Sequence, residues 1–224
     1  MKHFVFSSTA AVYGVPSSGQ ASEETSTAPI NPYGTSKLMS EWMLRDLCAA
    51  TPMRYVALRY FNVAGSDTQG RIGQSTRAAT LLVKVACEVA VGKRSHLSVF
   101  GTDYPTPDGT GVRDYIHVAD LAAAHIDALK YLRKGGTSTT LNAGYGRGYS
   151  VREVLDTVSK ISGKTFNIVE QDRRAGDPPA LVAKADRIRQ VLGWKPKYDD
   201  LKIIASSQYA WEQTLQKKPE LLKN

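Results

Sequence analysis

The chain has 224 residues, 42% hydrophobic and 22% charged, a balance that supports a buried core and sets aside the disordered and low-complexity classes. Its net charge of +8 comes from 29 Lys and Arg against 21 Asp and Glu; these basic residues are dispersed and lack interleaved aromatics, which argues against nucleic acid and leaves a small phosphate-bearing ligand as the alternative to a plain solvated surface. No apolar run nears the roughly 18 residues that cross a bilayer, no secretory leader opens the chain, and Cys48 and Cys87 show no CxxC or Cys/His spacing, so a cytoplasmic protein with two buried thiols and no membrane contact or metal is expected.

In chain order, residues 3–8 read as a short buried strand and 14–32, rich in Ser, Pro, Gly and Thr, as a loop. From Tyr33 to about Ala50, Leu38, Trp42, Leu44 and Leu47 recur at helical spacing, with Pro32 ahead and Pro52 behind. Residues 54–60 form the next strand, so the strand–helix–strand unit implies a right-handed crossover and a parallel sheet. A Gly-rich loop runs to about Ser75, and a helix from about Ala78 to Val91 ends at Gly92. Strands follow at 97–100 and 112–118, a helix at 119–132, a strand at 140–142 and a helix at 151–162. A strand near 166–169, a loop through Asp177, Pro178 and Pro179, a short helix at 186–192 and an amphipathic helix at 201–215 complete the chain. The alternation predicts an α/β protein whose irregular second half is a smaller lobe.

Tyr33 and Lys37 lie one turn apart at the start of the first helix, on one face. An ammonium that close favours the phenolate, which makes tyrosine usable as a general base toward an alcohol. The spacing is weak by itself, because Tyr198 and Lys202 repeat it among 11 tyrosines. Context separates the pairs: Tyr33 follows a strand ending in Ser7, Ser8 and Thr9, and open α/β sheets bind ligands at the carboxyl ends of their strands. Tyr198 has no such neighbour. His3, His96, His117 and His125 lack ligand-like spacing, and Gly144, Gly146 and Gly148 make G-x-G-x-G, not the dinucleotide fingerprint, so they read as loop residues.

The segments Phe-Ser-Ser-Thr-Ala-Ala-Val-Tyr-Gly (6–14), Pro-Tyr-Gly-Thr-Ser-Lys (32–37), Leu-Arg-Tyr-Phe-Asn-Val-Ala-Gly (58–65) and the run from Asp103 to Val118 resemble the extended short-chain dehydrogenase/reductases, and among them the UDP-glucose 4-epimerases. The likeness runs from about Phe4 to Trp211. It implies a partial Rossmann-like parallel sheet over 1–65 and a smaller mixed α/β substrate lobe over 66–224, with about 115–146 packing back on the Rossmann layer.

It also implies NAD-dependent 4-epimerisation of UDP-hexoses through a transient 4-keto sugar, with Thr9, Tyr33 and Lys37 catalytic. Ser7, Ser8, Thr9, Tyr33, Lys37, Tyr60 and Phe61 are then expected to face the cofactor. Asn62, Ser98, Val99, Phe100, Arg113, Arg174, Asp177 and Leu181 are expected, with Thr9 and Tyr33, to face the UDP-sugar. On the residues alone, Arg113 pairs as readily with Asp114, and Arg174 beside Arg173 is as readily solvated. Related 4,6-dehydratases carry an acidic pair where Ala10 and Ala11 stand, which disfavours dehydration. Leu181 occupies a position that is often Tyr or Cys in the family, and Leu81 falls where an Asn commonly meets the diphosphate, a contact leucine cannot make. The family's glycine turn for NAD phosphates has no counterpart ahead of Phe4, so the expectation is a truncated epimerase that fails to retain NAD alone. Its first strand is then an interior strand without its central partners, and the helix from Tyr33 is the candidate face of a two-fold homodimer.

Overall fold

The computed structural model describes residues 1–222. Strand β1 (His3–Thr9) passes through a 3-10 turn (Ala10–Tyr13) and the short β2 (Gln20–Ala21) to helix α1 (Pro32–Ala50). Asn31 starts α1 as its N-cap, its side chain accepting from Gly34 N at 2.8 Å, and Pro32 supplies the first helical residue. Then come β3 (Arg54–Tyr60), β4 (Asn62–Ala64), α2 (Leu82–Ala90), β5 (Leu97–Phe100), β6 (Val112–His117), α3 (Val118–Arg133) and β7 (Thr139–Ala143). The chain closes with β8 (Gly148–Ser150), α4 (Val151–Ser162), β9 (Ile168–Gln171), β10 (Ala180–Ala183), α5 (Asp186–Leu192), α6 (Leu201–Lys217) and a 3-10 turn at Pro219–Leu221.

Three strands make a parallel sheet in the order β1-β3-β7, and its register sets Thr9 beside Tyr60 and Tyr60 beside Ala143. Alternate residues of β1 point to opposite faces. Ser8 accordingly meets Glu41 of α1, and Ser7 meets His125 of α3, so the two helices cover opposite sides. Val56 and Leu58 of β3 are fully buried between them, each contributing about 1.5–3 kcal/mol of apolar burial. Because β7 joins β3, α3 and β7 belong to this layer although they follow the first half of the second lobe. β1 pairs on one side only among the described residues.

A five-stranded sheet, ordered β2-β10-β6-β4 with β8 antiparallel on β6, draws β2 and β4 from the first 65 residues, and β5-β9 form a separate two-stranded parallel pair. A buried ionic cluster joins α2 to α6: Lys84 Nζ lies 2.5 Å from Glu212 and 3.2 Å from Glu88, while Lys93 and Arg94 complete the pairs.

Among the boundaries that differ from the sequence reading are those of α2 and β9. α2 starts at Leu82 and not near Ala78, because Ala78 takes φ 53° and Arg94 Nη2 bonds Ala79 O at 2.9 Å, holding the segment extended. β9 lies two residues beyond the expected strand, pinned by its pairing with β5. Of the two thiols expected to be buried, Cys87 is, whereas Cys48 is half-buried near the exposed end of α1. No helix among the described residues is long and apolar enough to cross a membrane, and none of their His, Cys, Asp and Glu side chains forms a metal-binding group.

Candidate functional site

The carboxyl ends of β1 and β3 build one side of the site. Lys37 Nζ donates to the carbonyl of Ser7 at 3.0 Å and lies 5.9 Å from the centre of the Tyr33 ring, so the two side chains share one face of α1 as their spacing requires. Tyr33 is 51% exposed, its ring open to an incoming ligand. Gly34 fits α1 against the turn after Thr9, where an added Cβ would stand 2.6 Å from Ala11 O. Thr9 Oγ1 accepts from Ala11 N at 3.1 Å as cap of that turn, which leaves its own proton free to donate. Tyr60, beside Thr9 in register, has its phenol pushed up by burial and by the neighbouring Tyr33.

Thr9, Tyr60, Phe61, Asn62 and Leu181 line a cavity of about 220 Å³. It is joined through Asn62, Arg113 and Asp177 to a second cavity of about 720 Å³, bordered by Ser98, Val99, Phe100 and Arg174. Arg113 reaches across to Asp177 at 3.2 Å and not to Asp114, which is fully buried and accepts from the backbone of Tyr145, Gly146 and Ala183. Arg174 lies 3.7 Å above the centre of the Phe100 ring and so is not merely solvated. Arg173 takes the outer role, paired with Asp103 at 2.7 Å and stacked on Tyr104. The arrangement offers a stacking ring, two guanidinium groups and one carboxylate along a slot that leads to the Thr9 hydroxyl; Tyr33 and Lys37 line neither cavity.

Two expected residues stand apart. Ser7 uses its hydroxyl on His125 Nε2 at 2.9 Å, so only its backbone carbonyl faces Lys37. Ser8 is fully buried and donates to Glu41. That contact leads to a network the sequence reading missed. Arg59 holds Glu41 through Nε at 3.0 Å and Nη2 at 2.6 Å, and its Nη1 reaches the Tyr13 hydroxyl at 3.1 Å. Tyr13 in turn donates to Asn142 Oδ1 at 2.6 Å, and burial raises its phenol to about 12 against the opposing pull of Arg59. The network ties α1 to both sides of Thr9. A signal was present: Glu41 continues the four-residue spacing of Tyr33 and Lys37 along one helix face.

The remaining candidates resolve structurally. His117 caps α3, accepting from Ala119 N at 3.1 Å, and Tyr198 packs 4.6 Å from its ring. Gly144 admits Asp114, since a Cβ there would stand 2.8 Å from its carboxylate. An apolar cavity of about 810 Å³ between β4, α2, α3 and α6 takes in Asn62 but none of the other expected site residues.

A family model described as GDP-mannose 4,6 dehydratase matches residues 1–206. A UDP-glucose 4-epimerase of Azospirillum brasilense is 59% identical over 95% of this chain and 61% of its own length. A crystal structure of a UDP-glucose 4-epimerase is similar over 100% of this chain and 67% of its own, with TM-score 0.92 and 43% identity. The chain belongs to the UDP-glucose 4-epimerase family. It spans about three-fifths of the length of the curated epimerases it matches. The epimerase of Bifidobacterium longum, solved in complex with NAD+ and UDP, matches 97% of this chain and 64% of its own, at TM-score 0.89 and 40% identity.

Proposed function

We propose that this chain carries the sugar-nucleotide and catalytic side chains of a UDP-hexose 4-epimerase. The observation that carries the reading is the Thr9 turn at a small cavity that shares Asn62, Arg113 and Asp177 with a slot bearing Phe100 and Arg174, with Tyr33 and Lys37 paired on α1, whose Asn31 cap lines the cavity while their own side chains do not. Phe100 and Arg174 form a surface for the uracil end. Arg113 and Arg174 supply the charge a diphosphate needs, and Asp177 accepts from a ribose hydroxyl. Leu81 borders the same slot and cannot donate to the diphosphate, which leaves Asn62 as the side-chain amide beside the two guanidinium groups.

The hexose then lies in the 220 Å³ cavity against Thr9. Tyr33 takes the proton from its 4-hydroxyl, Thr9 donates to the same oxygen and holds it in place, and the Lys37 ammonium stabilises the negative charge on the phenol. When the sugar has turned over, Tyr33 returns the proton. NAD, when bound, supplies the hydride chemistry at C4. The residues present fit one end of that cofactor at Lys37 and Tyr33, which share one face of α1. β1 enters a 3-10 turn and not a glycine turn leading into a helix, so its end offers the cofactor's phosphates no cradle. The chain alone is expected to release no nicotinamide on denaturation. Dehydration is disfavoured, since Ala10 and Ala11 put no carboxyl group beside Thr9. A second copy fits the exposed stripe of Met39, Trp42, Met43 and Leu47 on α1.

A coupled assay of UDP-galactose conversion, run on the full-length gene product with NAD supplied, tests the reading. Turnover is expected to fall by about 10²–10⁴ in Tyr33→Phe. A variant as fast as its parent removes the epimerase assignment, and binding of UDP-sugar without turnover leaves a silent binding protein.

A further inference from the structure

Ile30 is a residue that the chemistry above does not use, although it lines the small cavity together with Thr9 and Leu181. Its backbone is fixed on the carboxyl side, because the next residue, Asn31, caps α1 through Gly34 N at 2.8 Å. Its side chain lies between two glycines from different lobes. A Cβ on Gly14, which ends the turn after Thr9 at φ 63°, would stand 3.5 Å from Ile30 Cγ2; one on Gly176, in the loop carrying Arg174 and Asp177 at φ 78°, would stand 3.5 Å from Cδ1. Both distances are ordinary van der Waals contact, so Ile30 packs beside both glycines without requiring either to be bare. Ile30 is nevertheless 45% exposed. It is therefore a wall held from both sides with one face open, not a core residue whose shape the fold demands.

At about 220 Å³, the cavity holds the equivalent of roughly seven waters at ~30 Å³ each, space for one monosaccharide with little to spare. We infer that Ile30 is a specificity-determining residue, the wall that sets how large a sugar the cavity accepts. This rests on the nucleotide-sugar reading of the site. Ile30 lines the small cavity and not the slot that holds Phe100 and Arg174, so its substitution changes the fit of the sugar and leaves the grip on the nucleotide intact. A hydrophobic wall of this kind discriminates by about 10- to 200-fold.

The test is calorimetric titration of this chain with UDP, UDP-glucose and UDP-N-acetylglucosamine, with saturation-transfer NMR reporting which ligand protons touch the protein. In Ile30→Trp, UDP affinity is expected to stay within about twofold while saturation no longer reaches the hexose protons of UDP-glucose. In Ile30→Ala, the affinity for UDP-N-acetylglucosamine relative to UDP-glucose is expected to rise about tenfold. Unchanged UDP binding in both variants shows that each has folded. Hexose saturation in Ile30→Trp equal to that of the parent, or an unmoved ratio in Ile30→Ala, overturns the inference. A parent chain that binds no UDP at all removes the nucleotide-sugar reading itself, a result distinct from a failure of Ile30 alone.

Discussion

Removing either member of the Glu41–Arg59 pair tests how the site is held. Both side chains are under 10% exposed, and Nη2 lies 2.6 Å from Oε2. Arg59→Met leaves Glu41 with only the Ser8 hydroxyl, and Glu41→Gln leaves a buried guanidinium without its counter-charge. An uncompensated buried charge costs about 3–5 kcal/mol, so each single change is expected to lose about that much. The double variant removes both charges and should lose less than the sum, by about 2–3 kcal/mol, within the range of coupling for contacting groups. Urea unfolding followed by circular dichroism gives the four free energies of the cycle. Single losses below about 1 kcal/mol, or additivity within about 0.5 kcal/mol, would show that the pair does not anchor α1 to the Thr9 turn.

Lys84→Met strips the centre from the α2–α6 cluster, but Glu212 keeps Lys93 at 2.9 Å and Glu88 keeps Arg94 at 2.6 Å, so the loss in urea unfolding is expected near the lower end, about 3 kcal/mol. A change under about 1 kcal/mol counts against that account. Asp114 is raised to about 6, chiefly by burial and against three backbone donors. The folded chain therefore keeps this proton where the unfolded chain, at about 3.9, has lost it. Stability from Asp114 is full below about pH 4 and is lost as pH rises through about 6, a change of about two units or roughly 3 kcal/mol. Asp114→Asn should accordingly gain on its parent between pH 4 and 7, and a constant difference across that window contradicts the assignment. Burial likewise holds His117 below the usual histidine value, so its contribution is lost as pH falls through about 6.5, and acid unfolding of His117→Gln should start at lower pH than that of its parent.

Much of the fold was legible where a periodic pattern and a breaker coincide. α1 between Pro32 and Pro52, and α4 with its Ser150–Glu153 capping box, follow directly from local chemistry. β2, β4, β8 and β10 were not legible, since two to four residues carry no period and gain their pairing from distant partners. The same division runs through the site. Tyr33 and Lys37 could be paired from spacing within one helix, whereas Arg113 with Asp177 depends on two segments that only the fold joins, and Ser8 turned inward because the Glu41 carboxylate lies beneath β1.

Calorimetric titration of this chain with UDP tests the central claim most directly. The account predicts saturable binding in the parent, weakened about tenfold in Arg174→Ala, where a guanidinium stacked on Phe100 is lost, with circular dichroism unchanged. Binding of equal strength in the two proteins, or no heat of UDP binding in the parent, contradicts it.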